Sequence, residues 1–294
     1  MGPFIDPFIG PFSDFMVRAL LAGVLVSIAC AVVGTFVVLR GLAFIGDALA
    51  HGVLPGIAGA LLIGAPGIVG AIVGALAMIG GVTLITRRSR LSSDTAIGLL
   101  FVGMLALGVV IVSRSSSFTG DLVAILFGQI LGTSWGSLAL QLAATIGVVV
   151  VAGVCARPFL LLSFDPEQAD VAGFPSRRYH AIMLLLIALT VVVSFQVVGT
   201  LLVFGMLLAP AASAALLVNR IGPMMLIGSV IGAVSSYLGL LISYWFALAA
   251  GASMVLVAVI IFFAVFAFTS WRESWRRSPE MTRPDAISGS ETGA

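Results

Sequence analysis

A chain of 294 residues with 61% hydrophobic and only 9% charged side chains lacks the polar surface that a soluble domain needs, so a soluble globular protein is excluded. The formal net charge of +2, with basic residues scattered among loops and not interleaved with aromatics, excludes a nucleic-acid surface. The two cysteines, Cys30 and Cys155, lie inside or at the end of apolar stretches with no thiol or imidazole at ligand spacing, and read as small core hydrophobes without a redox role.

The N-terminal segment, 1–15, carries Phe4, Phe8, Phe12, three prolines and two aspartates, and reads either as an aromatic-rich interfacial segment or as a disordered tail. Apolar runs of the roughly 20 residues needed to cross about 30 Å of hydrocarbon then follow one another. They lie near 16–39, 43–63, 66–86, 95–113, 134–155, 180–197, 199–218, 224–246 and 251–270. The expectation is an all-α, polytopic transmembrane helical bundle of about nine spans, with eight as the alternative. A cleaved signal peptide ahead of a soluble domain does not fit such a series.

Arginine supplies every cation other than histidine, because lysine is absent. Arg40, the 87–90 cluster, Arg157, Arg177, Arg178, Arg220, Arg272, Arg276, Arg277 and Arg283 fall on one side, which reads as the cytoplasm. Arg18 and Arg114 fall on the other. Nine spans place the N-terminus outside and the C-terminus inside, whereas eight reverse the N-terminus. No linker divides 16–271, which reads as one transmembrane domain, and 272–294 reads as a disordered cytoplasmic tail.

The informative polar stretch runs from Gly46 to Gly56. Asp47 is the one acidic residue placed within a predicted span, at a cost of about 2.5 to 3.5 kcal/mol on the mildest scales, so it is expected to face a cavity or a partner. His51 follows four residues later, a helical spacing that stacks both side chains on one face with β-carbons about 5 to 6 Å apart. Carboxylate with imidazole suits Mn²⁺, Fe²⁺ or Zn²⁺ and poorly suits Cu⁺. Two ligands are an incomplete shell, and a two-fold dimer would supply a second pair. Gly46, Gly52, Gly56 and Pro55 would let backbones approach or the helix bend. The bland alternative is an Asp–His pair serving as interhelical glue. His180, after Arg177, Arg178 and Tyr179, reads as an ordinary interfacial cation.

Between 163 and 175 a short helix is expected on the arginine-marked face. Asp165 caps it, Pro166 suits its first position, Glu167 favours its N-terminal dipole, and Gly173 with Pro175 ends it. Its shape suits docking in a partner's groove, a surface loop helix being the alternative. A chain without lysine has no Walker A P-loop, and His-Glu-x-x-His is also missing.

Together these stretches resemble the permease family of metal-ion ABC importers, which serves manganese, zinc and iron, over about residues 15 to 270. Val37 to Arg40, followed by Gly46 to Gly56, reproduce the family's Val-Val-Leu-Arg and Gly-Asp-Ala-x-x-His-x-Val-Leu-Pro-Gly. The segments Asp94 to Gly98, Leu126 to Leu131, Phe164 to Gly173, Val197 to Val203 and Pro210 to Ala212 resemble a helix start, an outer re-entrant segment, the coupling helix and the paired spans after it. Ala50 departs where the family often carries serine.

The resemblance implies a type II importer permease with alternating access of the kind seen in vitamin B12 permeases, resident in a prokaryotic cytoplasmic (inner) membrane. Its implied partners are a second copy of the chain, cytoplasmic ATPase subunits that use ATP, an extracytoplasmic metal-binding protein and lipid. The chain itself would be no enzyme and hold no permanent cofactor, only the transported Mn, Zn or Fe. Asp47 and His51 would meet the metal. Asp165, Pro166, Glu167, Ala169 and Gly173 would couple to the ATPase, and Gly46, Gly52, Pro55, Gly56 and Pro210 would serve flexibility and packing. A secondary transporter would explain the Asp47–His51 pair but not the 165–173 helix, and an assembly protein without substrate is the other rival.

Overall fold

The computed structural model describes residues 13–113 and 128–277. Expectations for 1–12, Arg114, Leu126, Phe127 and the tail beyond 277 lie outside them. The described residues form α1 (Ser13–Leu39), α2 (Ala43–Leu62), α3 (Gly67–Arg88), α4 (Ser93–Ser113), a 3₁₀ turn (Ile130–Gly132) and α5 (Trp135–Val154). They continue with α6 (Ala156–Phe164), α7 (Pro166–Val171), α8 (Ser176–Val198), α9 (Thr200–Leu217), α10 (Ile221–Phe246) and α11 (Ala250–Arg277). The protein is all-α over these residues.

Each of the nine apolar segments is a helix. Eight are long and apolar enough to cross a membrane, while the apolar part of α9, Leu202–Leu217, is shorter. At about 1.5 Å per residue the whole of α9 reaches about 27 Å, just short of the hydrocarbon thickness. The sequence did not announce α6 as a separate helix. A break at Cys155 ends α5, and Pro158 enters α6 in its first turn, where a missing N–H costs no helical hydrogen bond.

Local chemistry sets the helix ends. Ser134 caps α5 by accepting from the Ser137 amide at 3.2 Å, while Ser137 Oγ accepts from the Ser134 amide at 3.0 Å. The α1–α2 connection is a tight reversal in which the Gly41 amide donates to Val38 and the Leu42 amide to Val37. Gly41 adopts φ +64, a left-handed conformation that costs a side chain with a β-carbon about 1 kcal/mol or more.

Around α1, the most buried of the long helices, pack α10, α9, α5 and α8. Its contact with α10 is an antiparallel seam of small residues: Gly23 meets Ser236, Ser27 meets Gly232, and Ala31 meets Gly228. Ser27 and Ser236 share a hydrogen bond of 2.8 Å across it. Such seams bring backbones together where hydrocarbon offers no hydrophobic drive for helix association. A second seam joins α2 to α3, with Gly52 and Gly56 against Gly74 and Gly70.

Contacts between distant residues sort the helix ends into two groups. Arg40 meets His180 at 3.0 Å at one end. At the other, the Arg18 guanidinium lies 6.0 Å from the Trp135 ring centroid, and the Gln129 amide donates to the Gln196 carbonyl at 3.1 Å. The expected one-sidedness of Arg40, Arg177 and Arg178 thus corresponds to one end of the bundle.

Candidate functional site

Asp47 sits in the second turn of α2, and His51 is one turn further along the same face. His51 Nδ1 lies 3.2 Å from the Asp47 carbonyl oxygen and 3.5 Å from its carboxylate Oδ1. A carbonyl oxygen only accepts, so His51 Nδ1 is the donor in the contact with the Asp47 carbonyl. The His51 ring packs edge-on against Phe101 of α4, with centroids 5.0 Å apart. Both side chains keep an opening: 15% of the His51 side chain and 32% of that of Asp47 are accessible.

Close packing holds this segment of α2. A β-carbon on Gly46 would lie 2.9 Å from Leu207 Cδ2 of α9, and one on Gly52 would lie 3.2 Å from Met78 of α3. A β-carbon on Gly56 would overlap the Gly70 carbonyl. Pro55 has no N–H to give the His51 carbonyl, its i−4 partner, so the helical ladder lacks one bond at the level of the pair. Pro210 plays the same backbone part inside α9, where its carbonyl faces Gly228 of α10. Among the described residues no three of His, Cys, Asp and Glu come together in a metal-holding group. Among those residues Asp47 and His51 stand as a pair of donor side chains on one helix face.

At the Arg40 end, α7 is short and polar. Asp165 Oδ1 accepts from the Glu167 and Gln168 amides at 2.8 and 3.3 Å, and Pro166 begins the helix. Asp170 ties α7 to α8: its Oδ1 accepts from the Ser176 amide at 2.7 Å and its Oδ2 from the Ser176 hydroxyl at 2.9 Å. These bonds, the amide first, with Arg177 nearby, hold the Asp170 carboxyl below its ordinary value. Gly173, at φ +85, makes the turn out of α7, and a β-carbon there would meet only open space.

Ala169 lies inside its own chain, 0% exposed, so it supports α7 from beneath and presents no surface. Phe164 and Val171, 78% and 90% exposed, are the large apolar side chains displayed beside and on α7, and sequence reasoning did not single them out. Only the accessible surface, which depends on how α7 folds against α8, distinguishes them from Ala169.

His180 also differs from its reading as an interfacial cation. Arginine always donates, so the Arg40 guanidinium, 3.0 Å away, makes His180 Nδ1 an acceptor. The signal in the sequence was a lone Arg40 closing α1, with no indication of its partner 140 residues away.

At the opposite end a cavity of about 410 Å³ opens between α2, α3, α5, α8 and the 3₁₀ turn, with Gln129, Gln141, Gln196 and Thr133 among its lining. Gln141 is anchored, its Nε2 donating to the Ala22 carbonyl of α1 at 3.1 Å. Leu61 of α2 also lines this cavity and lies on the helical stripe that carries Asp47 and His51.

The family described as "ABC 3 transport family" matches residues 12–269. The manganese transport system membrane protein MntC of Listeria innocua is 41% identical over 254 residues, covering 86% of this chain and 90% of that protein. A probable iron transport system membrane protein of Haemophilus influenzae is 37% identical over 260 residues, covering 88% and 95%. Among solved structures, PsaBC from Streptococcus pneumoniae in complex with Fab superposes with a TM-score of 0.81 at 36% identity, covering 90% of this chain and 94% of the matched one.

Proposed function

The chain belongs to the ABC 3 transport family, and from that premise we propose that it is the membrane-spanning permease of an ATP-driven importer carrying manganese, zinc or iron, as a divalent ion, into the cytoplasm. Relatives named for manganese and iron transport support the substrate class. The observation that carries the reading is the Asp47–His51 pair, a carboxylate and an imidazole on one helix face with part of both side chains open.

A partly open carboxylate inside an apolar helix has two ways to avoid the cost of hydrocarbon: a cation, or a second copy of the chain. A two-fold dimer answers both, since two such pairs make a four-ligand site whose halves separate when the protomers move. Carboxylate and imidazole fit Mn²⁺, Fe²⁺ and Zn²⁺. Binding energy for the ion comes from the pair, and the work of release comes from ATP.

That ATP is bound elsewhere, because a chain without lysine has no P-loop. The permease therefore works with cytoplasmic ATPase subunits docked at the Arg40 end, around α7, and with an extracytoplasmic metal-binding protein at the cavity end. In this arrangement the nine long apolar helices all cross the membrane, α9 included, with the N-terminus outside and the C-terminus in the cytoplasm. Asp47 and His51 meet the ion, while Asp165, Pro166, Glu167 and Gly173 build the helix that receives the ATPase.

The test is uptake of ⁵⁴Mn, ⁶⁵Zn and ⁵⁵Fe into proteoliposomes holding the permease and its ATPase, with the binding protein outside. Accumulation that requires ATP is expected for at least one metal. Uptake driven by an ion gradient without ATP would move the chain to a different mechanism.

A further inference from the structure

A set of contacts runs without a gap from α7 toward the Asp47–His51 pair. Phe174, three residues beyond α7, packs edge-on against Tyr179 of α8, with ring centroids 5.7 Å apart and planes at 80°. Tyr179 packs against Phe159 of α6 at 6.5 Å and 83°. Phe159 in turn meets Phe36 of α1 at 5.1 Å and 75°. Phe159 and Phe36 are both 0% exposed.

Beside this ladder runs a polar link. His180, next to Tyr179, accepts from Arg40 at 3.0 Å, and the same Arg40 nitrogen lies 3.6 Å from Met183 Sδ. Arg40 is one helical turn beyond Phe36, so both links reach the same end of α1. At the other side of the ladder, Asp170 fastens α7 to the start of α8 through Ser176.

Only Gly41 and Leu42 separate Arg40 from α2, which begins at Ala43. Displacement of the end of α1 therefore reaches the N-terminus of α2 within two residues, and Asp47 lies in the second turn from there. Phe36 and Phe159 lie in the close-packed interior, which does not yield by compression, and Tyr179 and Phe174, half-buried, carry the contact outward to α7.

We infer that the ladder of Phe174, Tyr179, Phe159 and Phe36, with the Arg40–His180 hydrogen bond alongside, transmits ATPase-driven movement of α7 to α2 and so to the metal pair. These six are positioning residues, and none touches the ion. The inference rests on the import reading above and adds its mechanical route.

The experiment uses the reconstituted permease, ATPase and binding protein, and counts metal ions imported per ATP hydrolysed. Tyr179→Leu removes the central ring and is expected to lower that ratio at least tenfold, with hydrolysis within twofold of the unaltered complex and the ATPase still copurifying. Tyr179→Phe keeps the ring and restores the ratio. His180→Leu lowers it, whereas His180→Asn, which keeps an acceptor near the Nδ1 position, recovers it.

An unchanged ratio in Tyr179→Leu and His180→Leu overturns the inference and leaves the import reading standing. A parallel fall of uptake and hydrolysis that neither conservative variant rescues overturns it too, because that is the signature of a structural role alone. If Tyr179→Leu does not accumulate in the membrane, the His180→Leu and His180→Asn pair decides by the same ratio. Failure of the unaltered complex to import any metal removes the import reading and this inference together.

Discussion

Gly56 of α2 lies so close to the carbonyl of Gly70 in α3 that a β-carbon at either position has no room. The obstacle is backbone on both sides, so no side-chain rotation relieves it. Gly56→Leu is expected to destabilise the permease by about 1 to 3 kcal/mol, the range for overpacking a tight contact. Gly59, three residues on, has open space at its β-carbon, and Gly59→Ala should stay within about 0.5 kcal/mol. Thermal unfolding of both variants in detergent checks this, and equal midpoints would contradict the packing described.

Asp47→Asn preserves the shape of its side chain and removes the charge. Uptake of ⁵⁴Mn and ⁶⁵Zn by the reconstituted complex should fall more than tenfold, with the protein still folded and still assembled with its ATPase. His51→Ala, which removes the imidazole, should act similarly. Near-normal uptake in Asp47→Asn would reduce the pair to a contact between helices.

Phe164 and Val171 expose apolar surface at the end where the ATPase is proposed to dock. Val171→Asp and Phe164→Ser should weaken copurification of the ATPase several-fold while leaving membrane insertion intact. Full recovery of the ATPase with both variants would place docking elsewhere.

The α7–α8 junction should respond to acid in a defined sense. Ser176 holds the Asp170 carboxyl below its ordinary value, so the ionised form is favoured by the folded junction. The stabilisation is complete above the ordinary carboxylate range, about pH 4, and is lost as pH falls through the lowered value. Hydrogen exchange at the Ser176 amide should therefore stay protected down to about pH 4 and open below it. Asp170→Ala should leave that amide unprotected throughout, and identical protection in the two proteins would remove the assigned cause.

Much of this was legible from one chain because lipid imposes a simple grammar. An apolar run of about 20 residues must be a helix, since no water is present to satisfy its backbone otherwise. The Asp47–His51 pairing was legible because partners four residues apart on a helix meet by geometry alone. Contacts across long chain separations were not. Nothing near Arg40 points to His180, nothing near Phe36 points to Phe159, and the burial of Ala169 depends on the way α7 folds back on α8. The independent helix α6 was hidden because Arg157 and Pro158 near its start read as the end of the preceding span, and nine residues are too few to announce a helix of their own.

The seam between α1 and α10 is built of small residues, with one large side chain, Met254 of α11, reaching in to Gly23. Gly23, Ser27 and Ala31 face Gly228, Gly232 and Ser236 as two nearly smooth surfaces. Ser27 also donates to the Gly23 carbonyl of its own helix at 2.7 Å, so its hydroxyl keeps an acceptor when the bond to Ser236 breaks. Ser236 of α10, by contrast, has its hydrogen bonds to α1 alone, to Ser27 at 2.8 Å and to the Gly23 carbonyl at 3.2 Å, so sliding α1 along α10 breaks them, and these two contacts fix the register of the seam. The seam thus acts as a latch: small residues let the two backbones come close, and a buried hydroxyl that bonds only across the gap makes one alignment of the central helix preferable to its neighbours.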